Sequence, residues 1–181
     1  MLAFHVAQLL QAPQGTTRHY TYEVAAGEFT DLALISSVRG EVTLINLGRS
    51  ILADATFEGT VRAECGRCLE PTEVVLSGRL QEEFIPTIDV RTGVPLPAVA
   101  EDEAFPIDAE HVLHLDEALR QHLIMALPMR ALCRPDCLGL CPTCGADLNR
   151  AACDCPREGS TSPFQVLGVL LRDGASPDAP A

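Results

Sequence analysis

Apolar and polar positions alternate with a period of two along stretches of the first half of the chain. From Glu41 to Leu47, Val42 and Leu44, with Ile45 or Leu47, sit in a short apolar run directly after Gly40. From Thr56 to Glu64, Phe57, Gly59, Val61 and Ala63 fall on one side, and Thr56, Glu58, Thr60 and Arg62 on the other. From Glu73 to Phe84, Val74, Leu76, Gly78 and Leu80 share a side. Successive strand side chains point to opposite faces, so the pattern predicts half-buried strands. Between the last two runs, Cys65-Gly66-Arg67-Cys68-Leu69-Glu70-Pro71 reads as a hairpin turn. Strands at this short spacing predict an antiparallel sheet or a small open barrel.

The period then changes. Residues 85–107 carry Pro86, Gly93, Pro95, Pro97 and the acidic run Glu101-Asp102-Glu103, which predicts a surface loop expected to move. Leu115, Ala118, Leu119, His122, Leu123, Ala126 and Leu127 follow helical spacing, with Asp116 and Glu117 in the first turn and Pro128 as a stop. Residues 129–157 hold most of the cysteines. Ser162 to Leu171 predicts a short final helix with Pro163 at its first position. The Pro/Ala/Ser/Asp-rich tail predicts disorder. The expected fold class is α+β: an N-terminal antiparallel β-sheet or small open barrel, a helix, a zinc-knuckle segment and a short C-terminal helix. The expected organisation is a β-rich domain with its closing helix at 1–128, a cysteine-rich segment with the final helix at 129–172, and a disordered tail at 173–181.

Composition narrows the function classes. Hydrophobic content is 47% and aromatics only 4%, so Leu, Val and Ile must fill the core. All 13 basic residues are Arg; without Lys, a lysine Schiff base and a P-loop lysine are excluded. A formal net charge of -12 argues against a broad electrostatic grip on nucleic acid. The N-terminus has no basic region before its brief apolar run, and no apolar stretch is long enough to cross a bilayer. The expectation is a cytoplasmic protein with no membrane partner. In a reducing compartment, eight cysteines argue for metal before disulfides.

The cysteines stand at Cys65, Cys68, Cys133, Cys137, Cys141, Cys144, Cys153 and Cys155. A structural zinc site needs four thiolates at tetrahedral corners, and a CxxC turn presents two sulfurs to one side of an ion. Cys141-Pro142-Thr143-Cys144-Gly145 has the form of a zinc knuckle, with Gly145 free to take the positive φ such a turn needs. One pairing uses Cys141, Cys144, Cys153 and Cys155 for one site and Cys65, Cys68, Cys133 and Cys137 for another. A competing pairing gathers Cys133, Cys137, Cys141 and Cys144. Spacing does not decide between them, so one or two Zn²⁺ per chain are expected. A thioredoxin-like CxxC sits at a helix N-terminus in a βαβ setting, whereas Cys65 and Cys68 sit between strands. An iron–sulfur cluster also takes four cysteines, but zinc is the commoner occupant of paired knuckles. A catalytic zinc keeps an open position and takes His or carboxylate ligands, and no HExxH is present.

The other titratable groups read as structural. His122 lies on the apolar helix face and is expected to pack in the core; His5 and His19 are isolated, and His111 and His114 are neighbours. Glu82 and Glu83 beside Phe84 are expected to be solvated. No nucleophile elbow or glycine-rich phosphate loop occurs, so no enzyme is expected.

In order along nearly the whole chain, these features resemble the YceD family of large ribosomal RNA subunit accumulation proteins. The residues that carry the resemblance are Cys65 to Pro71, Leu80 to Phe84, Leu115 to Pro128, Leu132 to Asn149 with Cys133, Cys137, Cys141 and Cys144, then Cys153-Asp154-Cys155, and Pro163 to Leu167. Ala131-Leu132-Cys133 stands where the family pattern often reads Pro-Leu-Cys. The resemblance implies a role in synthesis, processing or stability of bacterial 23S ribosomal RNA and no catalytic residues. Family members differ in whether they keep the C-terminal cysteines, so the metal serves stability more than the shared function. Two classes of action compete. One is a non-catalytic assembly factor whose acidic surface meets a ribosomal protein or a large-subunit assembly intermediate. The other is a zinc knuckle that contacts rRNA directly. Around the cysteines Arg130, Arg134, Arg150 and Arg157 are balanced by Asp136, Asp147, Asp154 and Glu158, with no aromatic, which favours the protein partner. No small-molecule substrate is expected.

Overall fold

The computed structural model describes residues 1–97 and 104–155. The predicted final helix at Ser162–Leu171, the tail, and the acidic run Glu101–Glu103 lie outside the described residues. The chain divides into compact units at Met1–Cys137 and Leu138–Ala181.

The first unit contains strands β1 (Ala3–His5), β2 (Thr17–Val24), β3 (Val38–Asn46), β4 (Ile51–Glu64), β5 (Pro71–Pro86), β6 (Phe105–Ile107) and β7 (Val112–His114), with helices α1 (Ala7–Gln11) and α2 (Asp116–Ala126). The seven strands form one sheet in the order β1-β7-β6-β5-β4-β3-β2. Every pairing is antiparallel except β5 with β6, so the sheet is mixed and not wholly antiparallel as expected. The cause is a short excursion after β5 that returns the chain in the same direction. Its first part is a tight turn: the Asp89 amide donates to Val94 O (2.9 Å) and the Leu96 amide to Thr87 O (2.9 Å). Part of the predicted 85–107 loop is therefore ordered structure. The end strands β1 and β2 are not paired, yet the rings of Phe4 and Tyr20 on them lie 4.9 Å apart. The sheet is thus an open, curled one.

The period-two pattern explains the long β4–β5 hairpin. Alternate residues Ile51, Ala55, Phe57, Gly59 and Val61 oppose Phe84, Leu80, Gly78, Leu76 and Val74. Phe57 fills the space left by Gly78, where an added Cβ would lie 2.6 Å from Phe57 Cζ. Size is therefore matched across the pair, which is how a sheet face packs without voids. Leu115, Leu119 and Leu123 of the predicted helix are fully buried. The Asp116 side chain accepts the Leu2 amide (2.6 Å) at the start of α2, tying the N-terminus to that turn. His122 lies on the packed face, but Nε2 meets Glu82 Oε1 of β5 at 2.8 Å. Glu82 is therefore a half-buried hydrogen-bond partner of the helix and not a solvated strand end. Glu83 in turn accepts the Ser50 hydroxyl. Asn46 is fully buried and clips α1 to β3: Nδ2 donates to Leu9 O (2.6 Å) and Ala12 O (3.0 Å), and Oδ1 accepts from Gly48 (2.6 Å). Among the described residues no helix is long and apolar enough to cross a membrane.

Candidate metal centres

The eight cysteines gather into two groups of four, each with its sulfurs within 4.8 Å of one another. The first is Cys65, Cys68, Cys133 and Cys137; the second is Cys141, Cys144, Cys153 and Cys155.

The first group grows out of the hairpin. β4 ends at Glu64 and β5 begins at Pro71, so the turn between them must carry Cys65 and Cys68. Its backbone closes twice: the Cys65 amide donates to Glu70 O (2.9 Å), and the Leu69 amide to Cys65 O (2.9 Å). Closing it requires the left-handed region at the fifth position, and Leu69 takes φ 61°. The segment after α2 is laid against this turn by the Gly66 amide on Ala131 O (2.8 Å) and by Arg67 Nη1 on Cys137 O (2.7 Å). Sγ of Cys65 lies 3.8 Å from that of Cys137, and Sγ of Cys68 lies 3.7 Å from that of Cys133. Sulfurs at tetrahedral corners about 2.3 Å from a zinc-sized ion are separated by about 3.8 Å. The spacing therefore fits a thiophilic metal, whereas a disulfide needs about 2.0 Å.

The second group repeats the turn. The Cys141 amide donates to Ala146 O (2.8 Å), the Gly145 amide to Cys141 O (2.9 Å), and Gly145 takes φ 73°. The positive φ anticipated at Gly145 is present, and Leu69 occupies the matching position in the first turn. Cys153 and Cys155 face the turn across a loop organised by Asp147, whose Oδ1 accepts the Asn149 amide (2.9 Å) and Nδ2 (2.8 Å). Asn149 Oδ1 in turn accepts the Leu138 amide (2.8 Å).

The electrostatics of both groups follow from these turns. Amide hydrogen bonds from Cys133, then Cys68 and Arg67, hold the Cys65 thiol down to about 6. Amides of Cys144 and Thr143, followed by the Cys153 thiol, do the same for Cys141, also to about 6. Each thiolate formed discourages the next: Cys155 is pushed up to about 12 by its contact with Cys144, by burial, and by Cys141. Four thiolates at this spacing repel strongly unless a cation sits among them. Both groups can hold a metal ion, and four cysteines close each coordination sphere without a His or carboxylate.

The sequence pattern did not single out Arg67 or Leu69. Arg67 occupies an unconstrained position of a CxxC turn, and its grip on Cys137 depends on a partner distant in sequence. Leu69 carried a weak signal, since the fifth position of such a turn favours glycine.

Residues 53–171, which include all eight cysteines, match the family described as large ribosomal RNA subunit accumulation protein YceD. Uncharacterized proteins of Mycobacterium bovis and Mycobacterium tuberculosis are each 28% identical over 103 residues, 57% of this chain and 47% of theirs. The large ribosomal RNA subunit accumulation protein YCED homolog 1, chloroplastic, of Arabidopsis thaliana is 32% identical over 66 residues, 36% of this chain and 20% of that protein. The chain thus spans about half the length of the mycobacterial relatives it matches. No solved structure matches it. With the family match extending over most of the chain and both cysteine groups inside it, this protein belongs to the YceD family of large ribosomal RNA subunit accumulation proteins.

Proposed function

We propose that this protein is a non-catalytic zinc-binding factor that supports synthesis, processing or stability of 23S ribosomal RNA and assembly of the large ribosomal subunit. The family match over residues 53–171 carries this reading. Zinc, one ion in each cysteine group, is the metal that closed all-thiolate knuckles favour. Such sites shape a surface and leave no position for substrate, so the action is by contact and not by reaction.

The partner in this reading is a basic ribosomal protein or an assembly intermediate that displays one. A net charge of -12 speeds encounter with a basic surface and repels bare RNA. The described arginines near the cysteines are also engaged internally. Arg130 reaches Gly66 O (3.5 Å), Arg134 Nε lies 3.5 Å from Asp136, and Arg150 Nε lies 3.3 Å from Asp147. That supports protein contact over direct phosphate contact.

The test has two parts. Depleting the protein from its host should lower the ratio of 23S to 16S rRNA, and an unchanged ratio removes the rRNA role. Purifying the tagged protein with and without ribonuclease should give the same co-purifying ribosomal protein in both. Loss of every ribosomal component on ribonuclease treatment replaces the protein-contact reading with direct RNA binding.

A further inference from the structure

Beyond β5 the tight turn at Asp89–Leu96 forms one wall of a cavity of about 600 Å³, a volume within the usual range for small-ligand sites. Leu10 of α1, Ile85 of β5, and Val90 and Leu96 of the turn give it apolar walls, and Arg49 and Arg91 also line it. Most other described arginines are spent inside the fold. Arg18 bonds Gln8, Arg67 the Cys137 carbonyl, Arg79 Asp54, and Arg120 both Glu117 and Asp31. Among the described residues Arg39, Arg49, Arg62 and Arg91 have no side-chain hydrogen-bond or ion-pair partner, and of these Arg49 and Arg91 line the cavity.

Asp89, the acid that lines the same cavity, meets Arg91 through charge but makes no hydrogen bond to it. Its Oδ1 accepts the Thr92 amide (2.8 Å), the Arg91 amide (2.9 Å) and the Thr92 hydroxyl (2.9 Å). Those bonds, the Thr92 amide first, hold its carboxyl below the usual range. Oδ1 is committed to the turn. A chain of net charge -12 thus places two guanidinium groups, without a hydrogen-bond partner among the described residues, beside one apolar-walled cavity.

We propose that this cavity binds a small anion with an apolar body, a phosphate or carboxylate joined to a flat or aliphatic group. A guanidinium is weakly hydrated and presents a planar fork matched to either anion. The apolar walls contribute only if the anion carries an apolar body, and the protein's overall charge discriminates against bare anions. The site is independent of the cysteine centres, and it binds without turnover.

The full chain is titrated by calorimetry with adenosine 5′-monophosphate and with indole-3-acetate, using inorganic phosphate and adenosine as controls. At least one of the two conjugates should bind about tenfold more tightly than either control, and which one binds separates a phosphate ligand from a carboxylate one. Arg49→Gln and Arg91→Gln should each weaken that binding about fivefold or more. Leu96→Ser should weaken it without changing its salt dependence. All three positions are partly or fully exposed, so the fold should survive, which circular dichroism checks. Binding of both conjugates no tighter than the controls, or variants that bind like the parent, overturns the proposal.

Discussion

Replacing Cys68 by Ser removes one of the four sulfurs that join the β4–β5 turn to the segment after α2. Cys68 and Cys133 are 65 residues apart in sequence. Closing a loop of that length removes unfolded-state entropy worth about 4 kcal/mol in the chain-entropy treatment of a cross-link. In the second group Cys144 and Cys153 close a loop of roughly nine residues, worth about 2.6 kcal/mol in the same treatment. The two losses also differ in reach. The first cross-link restrains the sheet unit, while the second lies wholly within Leu138–Ala181. For a domain of this size each kcal/mol moves the melting temperature by about 2–4 °C. Cys68→Ser should therefore lower the main transition of the metal-loaded protein by about 8–16 °C. Cys144→Ser should leave that transition within about 2 °C and remove amide protection only beyond Cys137. Scanning calorimetry with hydrogen exchange resolves the two effects. A Cys68→Ser protein that melts with the parent, or two variants with the same shift, refutes the argument that the first centre braces the sheet.

Two further outcomes follow from the same geometry. Burial pushes the Tyr22 hydroxyl up to about 12, and the hydroxyl donates to Thr56 O at 2.8 Å. The folded state thus favours the protonated phenol more than the unfolded chain does, so its stabilisation is complete below about pH 10 and is lost as pH rises toward 12. Tyr22→Phe should cost about 1 kcal/mol at neutral pH and flatten the alkaline fall, measured by urea unfolding from pH 8 to 11.5. Leu69 is 60% exposed and holds φ 61°, so Leu69→Gly relieves backbone strain while losing little packing. The variant should gain up to about 1 kcal/mol by thermal unfolding with metal content unchanged, and a clear loss of stability would show that the turn is not strained.

The parts of the fold that were legible in the sequence are those where one face is buried over many residues. Thr56–Glu64 and Glu73–Phe84 alternate because β4 and β5 pack one face inward, and Leu115–Leu127 repeats at helical spacing because α2 does likewise. β1, β6 and β7 have three residues each, too few to show a period, and their pairing depends on neighbours distant in sequence. The parallel β5–β6 pair was hidden for that reason. The cysteines were legible as candidate ligands, but not their partition. Cys133 and Cys137 are nearer in sequence to Cys141 than to Cys65, and contacts distant in sequence, such as the Gly66 amide on Ala131 O and Arg67 on Cys137 O, place them at the hairpin. Glu82 and His122 were each read alone because nothing in a single sequence announces a strand–helix hydrogen bond. Arg49 and Arg91 gave no motif either, since a cavity between a turn, a strand and a helix leaves no local spacing.

The most direct test of the two-centre account is to count metal and reactive thiols on one sample purified without added metal. Native mass spectrometry should show two zinc ions per chain, and Cys65 and Cys68 should resist alkylation until the protein is unfolded or treated with a chelator. One zinc per chain with Cys65 and Cys68 freely alkylated in the folded protein, or iron in place of zinc, would contradict it.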